Sequence, residues 1–450
     1  MAGEELVGHI PDGWTYTTLG KACTDGGGDI QTGPFGSQLH AADYVPVGIP
    51  SIMPQNIGDN RISETGIARI TLDDATRLSR YLVRQGDIVY SRRGDVEKRA
   101  LIRANEDGWL CGTGCLRVRL GNNGANPSYA SYYLGHPSVR EWIVRHAHGA
   151  TMPNLNTSIL SSCPFVIPPP AEQRAIAYIL GTLDDKIELN RRRNQTLEAM
   201  ARALFKDWFV DFGPVRAKLE NREPYLPADL WQLFPDRLDD EGKPAGWRRS
   251  TIGSEVTVCG GSTPSTKEPA FWEGGEHHWA TPKDLSALKF PVLLDTDRKI
   301  TDGGIEKISS GLLPIGTVLL SSRAPIGYLA IAEVPTAINQ GFIAMKCNGT
   351  LPNVFVLFWC RENMDVILGN ANGSTFQEIS KSNFRPIPVI VPPEPILTAF
   401  RERTGPLYRH IVENELESNT LARLRDTLLP KLISGELRVA HAEQLVGTTV

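Results

Sequence analysis

Two long loops carry many of the side chains that could bind a ligand through hydrogen bonds. The first is GGGDIQTGPFGSQLHAADY at 26–44, and the second is GGSTPSTKEPAFWEGG at 260–275, followed by HHWATPKDLS. Glycine lets a backbone approach a ligand closely, and amides, hydroxyls and ammonium groups are donors to bases and phosphates. The candidate contacts are Gln31, Ser37, Gln38, His40, Thr263, Ser265, Lys267 and Lys283. A solvated surface loop is an equally open interpretation, because long loops are either functional or disordered.

A basic segment, SRRGDVEKRALIR, follows a strand-like run in the first half of the chain. Its arginines are suited to clamping phosphates or to reading guanine with two hydrogen bonds. Arg323 occupies the matching place in the second half, and Gln340, just before Gly341, is suited to an adenine edge. A solvated hairpin and a satisfied loop amide are the alternative interpretations. The candidates in the basic segment are Arg92, Arg93, Lys98 and Arg99.

Motifs for methyl transfer, DNA cleavage, zinc binding and phosphate binding do not accompany these donors. An adenine methyltransferase needs a polar residue before Pro-Pro and an aromatic residue after it, but Ile167 and Val391 precede the proline pairs here. Asp236 and Glu241 are too close in sequence to sit on adjacent strands around a metal. The chain has neither a four-ligand zinc pattern nor a glycine-rich phosphate loop. We therefore predict no catalytic residue, no metal site and no cofactor bound by this chain.

The elements that must position these side chains occur twice. An offset of 224 residues carries Pro168 and Pro169 onto Pro392 and Pro393, and the opening PDGW at 11–14 matches PAGW at 244–247. Short strand-like runs alternate with turns in both halves. The repeat predicts an α/β (α+β) protein with two mixed, strand-rich domains, each with its opening tryptophan in the core.

Each half ends in a long helical pattern whose apolar residues alternate four and three apart, which is typical of a coiled coil. Asn190 and Asn194 lie in the middle of the first seam, and Asn414 and Ser418 in the middle of the second. We expect an antiparallel pair with Asn194 facing Asn414 and Asn190 facing Ser418, because this order keeps the polar layers together and fixes the register.

Two prolines limit the second helical pattern. Pro406 predicts a kink or break near Gly405, and Pro430 predicts the end of the regular part. The remaining span, 407–429, would measure roughly 35 Å, close to one turn of B-DNA.

The patterns also predict where the domains begin and end. A linker rich in proline and charge separates the first helix from the second domain. The predicted division is 1–163 for the first domain, 164–212 for the central helical region, 213–245 for the linker, 246–387 for the second domain, 388–437 for the C-terminal helical region and 438–450 for a tail.

Bulk composition narrows the classes of function. No apolar run approaches the ~20 residues that span a membrane, and the first residues have no apolar signal-peptide region. Seven scattered cysteines favour reduced thiols in a cytoplasm. The net charge of −4 argues against a nucleic-acid binder that acts through bulk charge, so DNA binding would depend on local patches or on partners.

Several stretches resemble the specificity subunit of type I restriction-modification enzymes. They are PPPAEQRAIAYILGTLDDKIELNRRRNQTLEAMARALFKDWFVDFGPVRAK at 168–218, LFPDRL at 233–238, LRDTLLPKLISGELRV at 424–439, and the openings of both domains with their glycine-rich loops. Together these stretches cover nearly the whole chain in the expected order.

This resemblance implies two target-recognition domains, each of which binds one half of a bipartite, asymmetric site in double-stranded DNA. It implies two docked modification subunits that methylate adenine N6 with S-adenosylmethionine, and restriction subunits that use ATP and Mg²⁺. The chain itself would be non-catalytic and would bind no cofactor. Two alternatives remain open: a specificity subunit of an orphan methyltransferase without restriction, or a bivalent coiled-coil adaptor for protein ligands.

Overall fold

The computed structural model describes residues 10–149, 152–323, 325–373 and 377–439. It divides into two compact units. One is built from two separate stretches of the chain, and the other is built from the middle of the chain. Unit 1 contains Met1–Ile187 and Thr420–Val450, and unit 2 contains Glu188–Asn419. The first nine residues, where no signal peptide is expected, and most of the predicted 438–450 tail lie outside the described residues. The division into six segments along the chain stays a prediction.

The described strands of unit 1 form three sheets. Their bounds are β1 Thr15–Thr18, β2 Asp29–Thr32, β3 Tyr44–Ile52, β4 Ala68–Ile70, β5 Ile88–Ser91, β6 Arg99–Leu101, β7 Leu110–Cys111, β8 Cys115–Arg119 and β9 Pro164–Ile167. β1 pairs antiparallel with β9, a four-stranded sheet has the order β2-β8-β5-β6, and a three-stranded sheet has the order β4-β3-β7.

The strands of unit 2 repeat this arrangement. Their bounds are β10 Arg248–Thr251, β11 Thr257–Cys259, β12 His277–Ala280, β13 Val292–Leu293, β14 Arg298–Ile300, β15 Val318–Ser322, β16 Ile326–Ala332, β17 Thr336–Ile338, β18 Phe342–Lys346 and β19 Pro388–Val391. β10 pairs with β19, and the two larger sheets have the orders β11-β18-β15-β16-β13 and β14-β12-β17. The sheet orders match those of unit 1 except for the added edge strand β13, which confirms the internal repeat and the mixed fold class.

Fifteen α-helices lie in the described residues. They are α1 Leu19–Asp25, α2 Leu72–Arg77, α3 Pro127–Tyr133, α4 Pro137–His146, α5 Thr157–Ser162, α6 Pro170–Phe205, α7 Gly213–Leu219, α8 Ala228–Trp231, α9 Ile252–Glu255, α10 Pro282–Ser286, α11 Asp302–Ile305, α12 Asn353–Glu362, α13 Met364–Gly369, α14 Lys381–Phe384 and α15 Glu394–Ile433. A π-helical turn, Lys206–Val210, extends α6, and short 3₁₀ turns occur at 41–43, 54–56, 79–81, 104–106 and 269–271. Among the helices of the described residues, none is long and apolar enough to cross a membrane.

The two long helices pack antiparallel within each unit. In unit 1, Leu180 near the start of α6 shares a core with Leu428 near the end of α15. In unit 2, Phe205 at the end of α6 shares a core with Phe400 near the start of α15. Apolar residues on one stripe of each helix account for this pairing, since the stripe must be buried against a partner.

Helix α15 runs without interruption through both prolines, so the predicted break at Pro406 and the predicted end at Pro430 are wrong. Pro406 is exposed, which leaves the carbonyl of Glu402 on the solvent side, where water can bond to it. Phe400 and Ile411 are buried on either side of the proline. Their packing outweighs the ~3 kcal/mol that an interior proline costs a helix.

Aromatic side chains dominate the core of unit 2. Phe205, Trp208, Phe209 and Phe212 are buried there. Val215 and Leu230, from the predicted linker, are buried in the same core, so this segment packs as part of unit 2. Trp14 and Trp247 are buried in units 1 and 2, which confirms the core positions predicted for them.

Candidate nucleic-acid interface

Four loops of unit 1 converge at one end of its larger sheet. The backbone N–H of Gly33 donates to Cys115 at 2.9 Å, and the Thr113 hydroxyl donates to the Pro34 carbonyl at 3.1 Å. The N–H of Arg92 donates to the Gly114 carbonyl at 2.8 Å. A Cβ at position 33 would lie 2.1 Å from the Gly112 carbonyl oxygen, so this close approach requires glycine. We call residues 33–40, 53–55, 92–98 and 112–114 the unit 1 loop cluster.

The corresponding loops of unit 2 converge in the same way. The N–H of Ser262 donates to Ile338 at 3.1 Å, and that of Ser322 donates to Gly341 at 2.8 Å. A Cβ at Gly261 would lie 1.8 Å from the Ile338 carbonyl oxygen. We call residues 260–267, 281–283, 323 and 339–341 the unit 2 loop cluster.

The predicted contacts of unit 1 fall into two groups. Ser37, His40, Arg93 and Lys98 are exposed, and Lys98 is paired with Asp95 at 2.6 Å. Gln38 is part of the loop scaffold, because its Oε1 accepts hydrogen bonds from the Tyr81 hydroxyl at 2.8 Å and the Phe35 N–H at 3.2 Å. Gln31 lies half-buried in β2, opposite Arg117 of β8.

Arg99 does not belong to the interface, and its assignment as a DNA contact is wrong. It begins β6 and is buried, and its Nε donates to the Ser131 carbonyl at 2.7 Å. Burial lowers the pKa of its guanidinium. The neighbouring Arg92 is half-buried, and its Nε has no hydrogen-bond partner among the described residues. Arg99 begins β6 and is buried, whereas Arg92 follows the end of β5 and is half-buried. The sequence of the basic segment alone does not distinguish these two environments.

Most predicted contacts of unit 2 are accessible. Thr263, Ser265, Lys267 and Gln340 are exposed, and the Thr263 hydroxyl donates to Oε1 of Gln340 at 2.6 Å. The Lys283 side chain is 83% exposed and lies 3.3 Å from Asp297. Arg323 is half-buried and lies 3.8 Å from Glu378. The loop cluster therefore presents amide, hydroxyl and cationic donors on one exposed surface, which suits phosphates and base edges.

Sequence reasoning missed two exposed or partly exposed residues of the unit 1 loop cluster, Gln55 and Thr113. Gln55 corresponds to Lys283, because Pro54 and Pro282 begin equivalent turns. These turns are capped alike: the Met53 N–H donates to Asn56 at 3.1 Å, and the Thr281 N–H donates to Asp284 at 2.8 Å. Thr113 corresponds to Gln340 in the turn before β8 and β18. Aligning the two halves at Pro54 and Pro282 would have found Gln55, and aligning Gly114 with Gly341 would have found Thr113.

A polar layer lies between the long helices in unit 2. Asn414 Nδ2 donates to Asn194 Oδ1 at 2.7 Å, and Asn190 Nδ2 lies 3.3 Å from the Ser418 hydroxyl. Asn194 in turn donates to Glu415 at 2.8 Å. Asn190 and Asn194 are fully buried, and the Nδ2 groups of both are paired within the protein, whereas Asn190 Oδ1 has no hydrogen-bond partner among the described residues.

A charged layer lies between the same two helices in unit 1. Arg425 of α15 donates a hydrogen bond to Asp184 of α6 at 2.8 Å. The Tyr132 hydroxyl donates to the same carboxylate at 2.7 Å. Asp184 thus links both helices to helix α3.

The cysteines are suited to packing. Burial raises the pKa of the Cys111 and Cys163 thiols to about 12, which disfavours the thiolate that nucleophilic attack or metal binding needs. Within the described residues, no three His, Cys, Asp or Glu side chains meet in a group that could hold a metal ion.

Comparisons with known proteins show which family this chain resembles. The family model for the type I restriction modification DNA specificity domain matches twice, at residues 40–199 and 244–397. The HindI specificity subunit of Haemophilus influenzae is 25% identical, with 86% of this chain and 95% of the relative covered. The MjaIX specificity subunit of Methanocaldococcus jannaschii is also 25% identical, with 97% and 96% covered.

A crystal structure of a type I restriction-modification system S subunit from M. genitalium shares the fold. Its TM-score is 0.55 at 18% identity, with 93% of this chain and 96% of that chain covered. The repeated α/β units, each matched by this family model, define a DNA-specificity protein. The chain belongs to the family of type I restriction-modification DNA specificity subunits, because the family model matches each of its two repeats.

Proposed function

We propose that each loop cluster binds one half of a bipartite, asymmetric site in double-stranded DNA. The main support for this proposal is that the two loop clusters have equivalent backbones but different side chains. Gln55 stands where unit 2 has Lys283, and Thr113 stands where unit 2 has Gln340. Equivalent scaffolds with different donors would read different bases, since the pattern of donors and acceptors selects the base pair.

The long helices are proposed to set the spacing between the half-sites. The boundary between the units falls within both helices, at Ile187 in α6 and at Thr420 in α15. A helix that belongs to two compact units is a stiff connection, unlike a Gly- or Ser-rich linker. The helix-register role of Asn190, Asn194, Asn414 and Ser418 belongs to this proposal.

Two modification subunits, each with S-adenosylmethionine, are the proposed partners in adenine-N6 methylation. Within unit 2, helix α6 offers a surface for docking, because Leu189 and Met200 are exposed and lie eleven residues apart. Eleven residues make about three helical turns, so these side chains lie on one face. Restriction subunits with ATP and Mg²⁺ would join the same assembly, in the cytoplasm.

Mapping N6-methyladenine across a genome tests the proposal. The chain and the modification subunit of its own system are expressed together in a host without adenine methylation, and each is also expressed alone. We expect a split, asymmetric motif that requires both subunits. The same motif without this chain, or scattered methylation with it, would contradict the proposal if both proteins are soluble.

The adaptor alternative predicts a different salt dependence. Phosphate contacts make the logarithm of the binding constant fall steeply with the logarithm of salt concentration, whereas an adaptor without DNA contacts shows no specific duplex binding at all. The presence of restriction subunits is decided separately, by testing whether the purified complex cleaves unmodified DNA when ATP is added.

A further inference from the structure

Two tryptophans hold the glycine-rich loop of unit 2 in one conformation. Nε1 of Trp272 donates to the Ser265 carbonyl at 3.0 Å, and Nε1 of Trp279 donates to the Ser262 carbonyl at 3.4 Å. The indoles pack edge to face with ring centroids 4.9 Å apart, and the guanidinium carbon of Arg298 lies 3.7 Å from the Trp272 centroid. The loop backbone on both sides of Thr263 is therefore fixed by two indoles, one from the far end of the loop and one from β12.

This fixed loop places Thr263 against a side chain far away in the sequence. Its hydroxyl donates to Oε1 of Gln340 at 2.6 Å. The bond orients the amide, because the oxygen faces Thr263 and the NH₂ group points away from it. Next to this pair, the Asn339 side chain accepts the Gly341 N–H at 2.8 Å, which holds the turn that carries Gln340.

The pair has little value for stability, because both side chains are exposed and a hydrogen bond at the surface competes with water. Ordering a glutamine also costs side-chain entropy. An oriented amide is what adenine recognition requires: Nε2 donates to N7, and the second lone pair of Oε1 accepts from the N6 amino group. The Gln340 amide is thus ordered at the surface despite the cost in side-chain entropy, and its orientation suits hydrogen bonding to a base edge.

We propose that Gln340 reads an adenine in the half-site bound by unit 2, with Thr263 as its positioning residue and Trp272 as the residue that fixes the Thr263 loop. This inference rests on the proposed function and adds to it the residue and the base. The adenine in question is a different position from the one that is methylated, since the methylated base is the substrate of the partner subunit.

Methylome mapping of variant complexes tests the inference, with the other half-site as an internal control in the same reads. Gln340→Glu should move the preference at one position from adenine to cytosine, because a carboxylate accepts from cytosine N4. Thr263→Val removes the donor and should relax the same position, with discrimination reduced about five- to hundredfold. Thr263→Ser keeps the hydroxyl and should restore it, and Trp272→Phe should weaken the same position.

The control is Thr257→Val. Thr257 also donates its hydroxyl to an exposed amide, Asn348 Oδ1 at 3.1 Å, but at the far end of β18 from Gln340. This variant should leave both half-sites unchanged. If the wild-type complex gives a split motif and Gln340→Glu and Thr263→Val leave it intact, the inference is wrong while the proposed function stands. If the wild-type motif does not depend on this chain, the proposed function itself fails.

Discussion

The two arginines at the ends of the basic loop show how one turn separates an exposed side chain from a buried one. Arg93 is exposed in the unit 1 loop cluster, whereas Arg99 is buried six residues later, where β6 begins. The Arg99 guanidinium lies so close to Gly135 that a Cβ there would be 1.8 Å from its Nη2. Its charge is accommodated by the Ser131 carbonyl, because a buried cation must keep its hydrogen bonds.

Replacing Arg99 with methionine should lower stability, whereas replacing Arg93 with methionine should weaken DNA binding. Arg99→Met should lower the free energy of unfolding by about 2–4 kcal/mol, because it leaves the Ser131 carbonyl unpaired and alters a packed site. Arg93→Met should change stability by less than about 0.5 kcal/mol but weaken DNA binding and reduce the salt slope by ~1. Urea unfolding and duplex binding at several salt concentrations measure both. A stable Arg99 variant with weakened binding would contradict this assignment.

At the scale of single elements, helix α15 tolerates residues that favour a break. Gly405 and Pro406 lie within its regular span, and tertiary packing holds them in the helix. The Cβ of an alanine at 405 would meet nothing within 4 Å, so the site has room for a better helix former. The pair therefore lowers the stability of α15 without altering its course.

Both residues can be replaced to test this view. Gly405→Ala should raise the free energy of unfolding by about 0.5–1 kcal/mol, because alanine loses less backbone entropy. Pro406→Ala should raise it by about 1–3 kcal/mol, because its N–H can bond to the Glu402 carbonyl. Chemical unfolding of the full chain measures both changes. Destabilisation by either variant would mean that the helix depends on a local feature of these residues.

The polar layer between the helices should make stability depend on pH. Burial raises the pKa of Glu415, and the hydrogen bond from Asn194 and the charge of Lys289 offset part of this. The native state then binds a proton more tightly than the unfolded chain, so stability from this group falls as pH rises from the ordinary glutamate range through the raised pKa.

Glu415→Gln removes this titration and keeps an acceptor for Asn194. We expect higher stability at pH 7 than in the wild type and a shallower fall between about pH 4 and 7. Unfolding by urea across that range measures it. Glu402→Gln, an exposed glutamate on the same helix, controls for the loss of one charge. An unchanged slope in the Glu415 variant would show that this carboxylate does not couple to folding.

At the scale of the whole molecule, the two units have the same plan but different surfaces. Each contains its own sheets, its own core and parts of both long helices. Under the proposed function, the loops decide which bases are read and the helices decide how far apart they are. The bases that are recognised and the distance between the two half-sites could then be changed independently of each other.

Removing one heptad from both helices tests this separation. Deleting 188–194 together with 414–420 shortens each helix by about 10 Å, which corresponds to about three base pairs. The helix beyond the deletion is rotated about its own axis by only about 20°. We expect methylated sites with a spacer about three base pairs shorter and the same half-sites. Deleting 188–194 alone should destabilise the protein, because the layers no longer match. New half-site bases with the old spacing would contradict the helical ruler.

The sequence by itself determined the features that are local or repeated. Periodic apolar residues predicted α6 and α15, and the matching openings predicted two similar units with Trp14 and Trp247 in their cores. The antiparallel order that joins Asn194 to Asn414 was also accessible, because a polar layer between helices is costly unless its members meet. These predictions needed only spacing and residue type.

The tertiary structure decided what depends on distant neighbours. Arg93 and Arg99 have the same chemistry, and only the sheet shows which one faces solvent. Thr263 and Gln340 are 77 residues apart, and their hydrogen bond exists because two loops meet at the end of one sheet. Pro406 stays helical because residues on both sides are packed. Burial and long-range hydrogen bonds outweigh local propensity, and neither can be read from a short stretch of sequence.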